Sequence, residues 1–157
     1  MADSDAHTGF GALIQNGDGA SPENFVSILG VKNITGPNIQ RDTHDVTTQA
    51  SPSGFREFIG GLIDAGEVSF EANFLPRDPT QGQAEGGFLA EFDKSSCSSR
   101  GNWRILLPEC DGEGETYFGF AGIVTGSQIQ MPMDDIMAFT GTIKVSGRPE
   151  LVIESAA

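Results

Sequence analysis

Residues 67–75 alternate without interruption. Val68, Phe70, Ala72 and Phe74 fall on one side, and Glu67, Ser69, Glu71 and Asn73 on the other. A period of two over this length predicts a half-buried β-strand. The stretch before it, "FREFIGGL" at 55–62, follows neither the strand nor the helix period and sets aromatics beside glycines. Two readings fit it. It is a turn folded back onto its own core, or an apolar patch that contacts another chain. Phe55, Phe58, Ile59 and Leu62 beside Arg56 have the composition of interface anchors.

Further strands are expected at 10–15, at 23–35 with a break at Gly30, at 39–48 and at 102–108. At 116–126, Phe118, Phe120 and Val124 oppose Tyr117, Ala121 and Ile123. Both faces are apolar, so this strand is expected to be covered on both sides. Residues 127–134 read as a connection. At 135–147, Met137, Phe139, Ile143 and Val145 oppose Ala138, Thr140, Thr142 and Lys144. A last short strand is expected at 151–153. One helix is expected at 80–93, where Ala84, Phe88 and Phe92 recur every four residues, although Gly86 and Gly87 each cost it about 1 kcal/mol relative to alanine. Short strands, turns between them and one helix predict a mainly β fold, an antiparallel β-sandwich or barrel with a flanking helix.

The chain has 157 residues, so one domain is expected, able to bury roughly 70% of its unfolded surface without a metal or disulfide. The domain carries an N-terminal arm at 1–9, a long loop at 43–61 and a C-terminal tail at 148–157. Twenty-one glycines and a hydrophobic fraction of 38% favour turns and short strands over long helices. The 22 acids outweigh the 9 bases, for a formal charge of −13. Binding nucleic-acid phosphates through a basic patch is disfavoured. The charge keeps the chain soluble or repels a polyanion. The acidic start, "MADSDAHTGFG", has neither a basic nor an apolar signal region, so folding in a cytoplasm is expected. Cys97 and Cys110 are expected as free thiols there, and with His7 and His44 they are too few and scattered for a zinc site.

Catalytic patterns are missing. No G-x-S-x-G accompanies His44 and Asp45, and the adjacent Asp134 and Asp135 would point to opposite faces of a strand. "NGDG" at 16–19 and "DGEGE" at 111–115 suit hairpin turns better than calcium, which needs six to eight oxygens. The expectation is therefore no enzyme and no cofactor. The alternative is a monomeric β-sandwich module that recognises a glycan or calcium through those turns.

A resemblance adds to this reading. A "V..I.GP" turn, the extended "RDTHDVTT", a loop, "FREFIGGLIDAGEVSFEANF", then "NWRILLPE" and a late "GTIKVSGRP" follow one another from 29 to 149. This order and spacing resemble the major tail tube proteins of long-tailed, lambda-like bacteriophages. The resemblance implies a sandwich fold similar to the tube protein of type VI secretion, with subunits in hexameric rings stacked into a virion tail tube. Genomic DNA would pass through the channel into the host cell without sequence-specific binding. Tape measure, tail tip and terminator proteins would be partners, no membrane would be involved, and assembly would occur in the host cytoplasm. The implied interface is the 43–61 loop, with Phe55, Arg56, Phe58, Ile59 and Leu62 as its anchors. The implied channel lining is Glu67, Ser69, Glu71 and Asn73, with Thr140 and Thr142 from the late strand.

Overall fold

The computed structural model describes residues 6–108 and 114–154. Nine strands account for about half of them: β1 (Leu13–Gly17), β2 (Phe25–Ser27), β3 (Val31–Thr35), β4 (Gln40–Asp45), β5 (Phe58–Asp64), β6 (Glu67–Asn73), β7 (Arg100–Leu106), β8 (Thr116–Gln130) and β9 (Ala138–Ile153). Seven of them form one antiparallel sheet in the order β2-β1-β7-β8-β9-β6-β3, and β4 pairs with β5 in a separate two-stranded sheet. The large sheet curls until β3 approaches β1, giving a barrel-like sandwich wrapped around one core.

The alternation in β6 is realised. Val68, Phe70 and Ala72 are buried, and Glu67 to Asn73 on the other side keep contact with solvent. Its register with β9 pairs Phe70 with Gly141 and Val68 with Ile143 inward. Trp103 and Ile105 of β7 and Phe120 and Val124 of β8 complete the apolar wall. Phe88 fills the centre. It is fully buried, with its ring centroid 5.0 Å from that of Phe70, 5.5 Å from Phe139 and 5.9 Å from Trp103. Its burial stabilises the fold by about 2–3 kcal/mol.

The expected helix at 80–93 is replaced by turns and a short 3₁₀ segment, Leu89–Asp93. The four-residue recurrence of Ala84, Phe88 and Phe92 is therefore coincidental to a tight loop. Gly87 lies so close to backbone that an added Cβ would sit 2.2 Å from the Gly82 carbonyl oxygen and 2.6 Å from that of Pro79. That close approach lets Phe88 donate its N–H to the Thr80 carbonyl at 2.9 Å and drop its ring into the core. Glu91 in the 3₁₀ segment is buried, receives the Asn16 Nδ2–H at 3.2 Å and pairs with Lys94 at 2.9 Å, which pins this cover to β1.

Other boundaries move for identifiable reasons. β1 starts later than expected and carries Asn16 and Gly17 into the strand, because both pair with β2 and Asn16 also pairs with Trp103. The 23–35 run divides at Leu29–Gly30, as expected, into β2 and β3. β8 continues to Gln130 through what reads as a connection, and β9 continues through Pro149 to Ile153, because the two strands pair along nearly their whole length with irregularities at 119–121 and 124–126. The 148–157 tail is thus a strand edge as far as Ile153. The expected cover on both sides of the 116–126 strand is absent: Tyr117, Ala121 and Ile123 face outward and are only half-buried. Residues 1–5 of the arm, Cys110, and most of the "DGEGE" turn lie outside the described residues, whereas Cys97 is an exposed free thiol.

Candidate functional site

Two surfaces stand out, and both grow from the strand pattern. The first is the polar side of β6 and its neighbours. Antiparallel register places Glu67 beside Lys144, Ser69 beside Thr142 and Glu71 beside Thr140 on one face. Asn73 sits opposite Ala138 on that face. All of Glu67, Ser69, Glu71, Asn73, Thr140 and Thr142 are therefore brought together, as their alternation in sequence requires. β8 adds Gln128 and Gln130, paired with Thr140 and Ala138, and β3 adds Asn33 and Thr35, paired with Glu71 and Ser69. Sequence reasoning passed over these four. "QIQ" at 128–130 does carry a period of two around Ile129, whose register partner is Phe139.

The charges on this face are partly matched. Lys32 Nζ lies 3.6 Å from Glu71, both half-exposed, a contact worth little in free energy. Lys144 Nζ reaches past the sheet to donate to both Asp64 carboxylate oxygens, at 3.1 and 3.2 Å. The Gly66 backbone N–H first, and then the hydrogen bond and charge of Lys144, hold the Asp64 carboxyl below its ordinary value. This ties the β5–β6 turn to β9. The turn itself depends on Gly66, whose φ of +73° leaves no room for a side chain beside the Asn38 carbonyl.

The second surface is the β4–β5 hairpin. The 43–61 region, expected as a loop, is a loop over residues 46–57 that joins two paired strands: His44 pairs with Ile59 and Asp45 with Phe58. Its tip is tied by side chains. Thr47 N–H donates to Asp45 at 2.9 Å, and the Thr47 hydroxyl and N–H hold the Asp45 carboxyl below its ordinary value. Glu57 accepts from Ser51 Oγ at 2.9 Å, and Pro52–Gly54 forms one 3₁₀ turn.

Away from the Asp64–Lys144 tie at its base, the hairpin keeps its side chains largely in solvent. Every residue of β4 is exposed, as are Phe58, Ile59, Leu62 and Ile63 of β5. Phe55 near the tip is 75% exposed and Leu62 is 85% exposed. Phe58 and Ile59, neighbours in β5, point to opposite faces, and the register shift between Gly60 and Ile63 interrupts the alternation before Leu62. The interface candidates therefore occupy both faces of one projecting ribbon. Arg56 reaches Asp45 at 3.9 Å. The reading of "FREFIGGL" as a segment folded onto its own core is excluded by this exposure.

The turn chemistry at 16–24 is self-satisfied. Asp18 Oδ1 accepts the N–H groups of Ala20 and Asn24 at 2.9 and 3.1 Å, and these bonds hold its carboxyl below its ordinary value. Glu23 accepts from Gly19 N–H and from Asn102. Among the described residues no cluster of three metal-ligating side chains occurs. Asp134 and Asp135 lie in the irregular 131–137 connection, not on a strand.

Comparison with known proteins follows the same lines. The chain resembles, over 94% of its length and 99% of the other chain, a subunit from the tail of an empty gene transfer agent particle refined with C6 symmetry, with a TM-score of 0.67 and 18% identity. It resembles a chain from the baseplate of the anti-feeding prophage, with a TM-score of 0.71 and 11% identity, covering 96% of this chain and 97% of that one. A chain from the sheath/tube terminator of an extracellular contractile injection system matches with a TM-score of 0.71 and 12% identity, covering 96% and 99%. At these identities the likeness is one of fold. No curated protein matches by sequence. The model of the lambda phage tail tube protein family matches residues 11–152, nearly the whole chain. The chain belongs to the lambda phage tail tube protein family and is a structural, mainly β component of a phage-like tail.

Proposed function

We propose that this tail tube protein forms hexameric rings in which the β4–β5 hairpin of each subunit lies against its neighbours, and that the rings stack into the tube. The carrying observation is the hairpin itself. A two-stranded ribbon is marginal on its own in water. This one holds Phe55, Phe58, Ile59 and Leu62 in solvent with Arg56 among them. Burying these side chains on another subunit stabilises both the ribbon and the contact, by about 1–2 kcal/mol for each large apolar group. Closing strands across subunits also covers sheet edges that would otherwise template uncontrolled pairing.

In this reading the β3-β6-β9-β8 polar face lines the channel. Glu67, Ser69, Glu71, Asn73, Thr140 and Thr142 then present carboxylates, hydroxyls and an amide to the passing genome. A polyanion gains no counterion release from such a wall, so DNA slides without sticking. The same reading assigns the chain no catalytic task and no cofactor. It places assembly in the host cytoplasm, with tape measure, tail tip and terminator proteins as partners and no role for a membrane.

Phe58→Asp tests the interface. It puts a carboxylate where an apolar contact would form, at a position that carries no core packing. Sedimentation velocity is expected to show a folded monomer at concentrations where the unmodified protein assembles. Assembly at the unmodified concentration would remove the hairpin from the interface.

A further inference from the structure

We infer that the 131–137 connection of one subunit inserts into a cavity at the opposite end of a second copy of this chain, in the adjacent ring. The inference rests on the ring-stack reading and specifies a contact that reading leaves open.

The connection is an apolar projection. Met131 is 72% exposed, Met133 fully exposed and Ile136 67% exposed, and three of the four methionines of the chain fall between 131 and 137. Solvent-exposed methionine is suited to an irregular receptor, because its flexible thioether fills gaps that branched side chains do not. Asp134 and Asp135 stand among these apolar groups. The Asp135 carboxylate accepts the Ile136 N–H at 2.7 Å, whereas Asp134 has no hydrogen-bond or ion-pair partner among the described residues.

The receptor lies where the hairpin base meets the far half of β9. It is a cavity of about 980 Å³ walled by Ile39, Leu62, Ile63, Val145 and Pro149. Arg41 and Arg148 also line it, and neither has an ion-pair partner among the described residues. Of its two acids, Asp64 is paired with Lys144 and only Asp42 stands uncompensated. The four lining charges therefore balance, and Lys144 beside them brings the local sum to +1 in a chain of charge −13. Apolar walls with unpaired guanidinium groups complement apolar side chains with unpaired carboxylates.

Strand geometry decides which copy supplies the insert. The connection abuts Ala138 at the start of β9, and the cavity reaches Pro149, eleven residues along the same strand. At the usual rise the near wall at Val145 lies roughly 23 Å away and the far wall roughly 35 Å, so a subunit cannot fill its own cavity. Two different surfaces at opposite ends make a head-to-tail contact, which propagates as an open stack. Strands that close a barrel run within about 35–45° of its axis, so the two ends of β9 face successive rings and not ring neighbours.

The test compares Met133→Asp, Arg148→Glu, and Arg148→Glu combined with Asp134→Lys, by negative-stain microscopy of the purified full chain. Each single variant is expected to accumulate isolated rings, with stacked particles reduced more than about tenfold, the effect of losing a hot-spot contact. The double variant, with the pair reversed, is expected to recover stacks. Unreduced stacking in Met133→Asp, or a double variant that stacks no better than Arg148→Glu, overturns the inference. Monomers in place of rings from Met133→Asp overturn it too, because the loop would then hold ring neighbours. If the unmodified protein gives neither rings nor tubes, the ring-stack reading falls with it.

Discussion

Gln81 offers a direct test of how the fold holds the end of the subunit that carries the 131–137 connection. Its side chain is fully buried and completely used. Nε2 donates to the Leu29 carbonyl at 2.8 Å and to the Asn73 carbonyl at 2.9 Å, while Oε1 accepts the Leu75 N–H at 2.8 Å. It thereby clamps the β2–β3 turn to the end of β6, and the next residue, Phe74, donates to the Met137 carbonyl at 2.9 Å. Gln81→Leu keeps volume and removes all three bonds. Each backbone group left dry costs about 1–3 kcal/mol, and the lower figure applies because Leu29 and Leu75 are partly open to water. The sum is about 3–4 kcal/mol, a fall in melting temperature of roughly 10 °C for a chain of this size.

The measurement belongs in the Phe58→Asp background, since assembly would make the melting temperature depend on concentration. Gln81→Glu separates chemistry from shape. It faces two carbonyls with a buried carboxylate, so its own pKa rises on folding, and stability is regained as pH falls and the acid protonates. A Gln81→Leu loss below about 1 kcal/mol would refute the clamp, given the cost expected for even one dry backbone group.

Two further outcomes follow from the same geometry. Tubes of Glu71→Lys are expected to assemble normally yet bind short duplex DNA at low salt, with binding lost steeply as salt rises; if they bind no more DNA than unmodified tubes, Glu71 does not face the channel. Asp64 has a folded pKa below its unfolded value, so its contribution is complete above the ordinary value of 3.8 and is lost as pH falls below it through the folded value. The stability difference between the unmodified chain and Asp64→Asn should therefore be full at neutral pH and vanish in that acidic window, and a difference that persists below it contradicts the Lys144–Asp64 tie.

How much of this was legible depends on whether a residue faces the core. β6 was readable because Val68, Phe70 and Ala72 pack inward and Glu67, Ser69 and Glu71 do not. The same alternation located the polar face that includes Thr140 and Thr142. β5 was illegible for the opposite reason. It has no core side, so selection for alternation is absent, and its glycines answer a local need: a Cβ on Gly61 would meet the His44 ring at 2.6 Å. Its apolar residues are exposed, as a contact surface requires, whereas its strand pairing with β4 is not legible from the pattern. The 80–93 region has helical spacing but not helical structure, because the close backbone contacts of Gly87 make a compact cover around Phe88. The cavity at the hairpin base was beyond sequence reasoning altogether, since Ile39 and Pro149 line one space only after β9 has run past the hairpin base.

The central claim, that this chain builds a tube from rings, is tested most directly by electron microscopy of the purified protein across a range of concentration and salt. The account predicts six-fold rings stacked end to end around an open channel. A protein that stays monomeric at high concentration under every salt condition would contradict it.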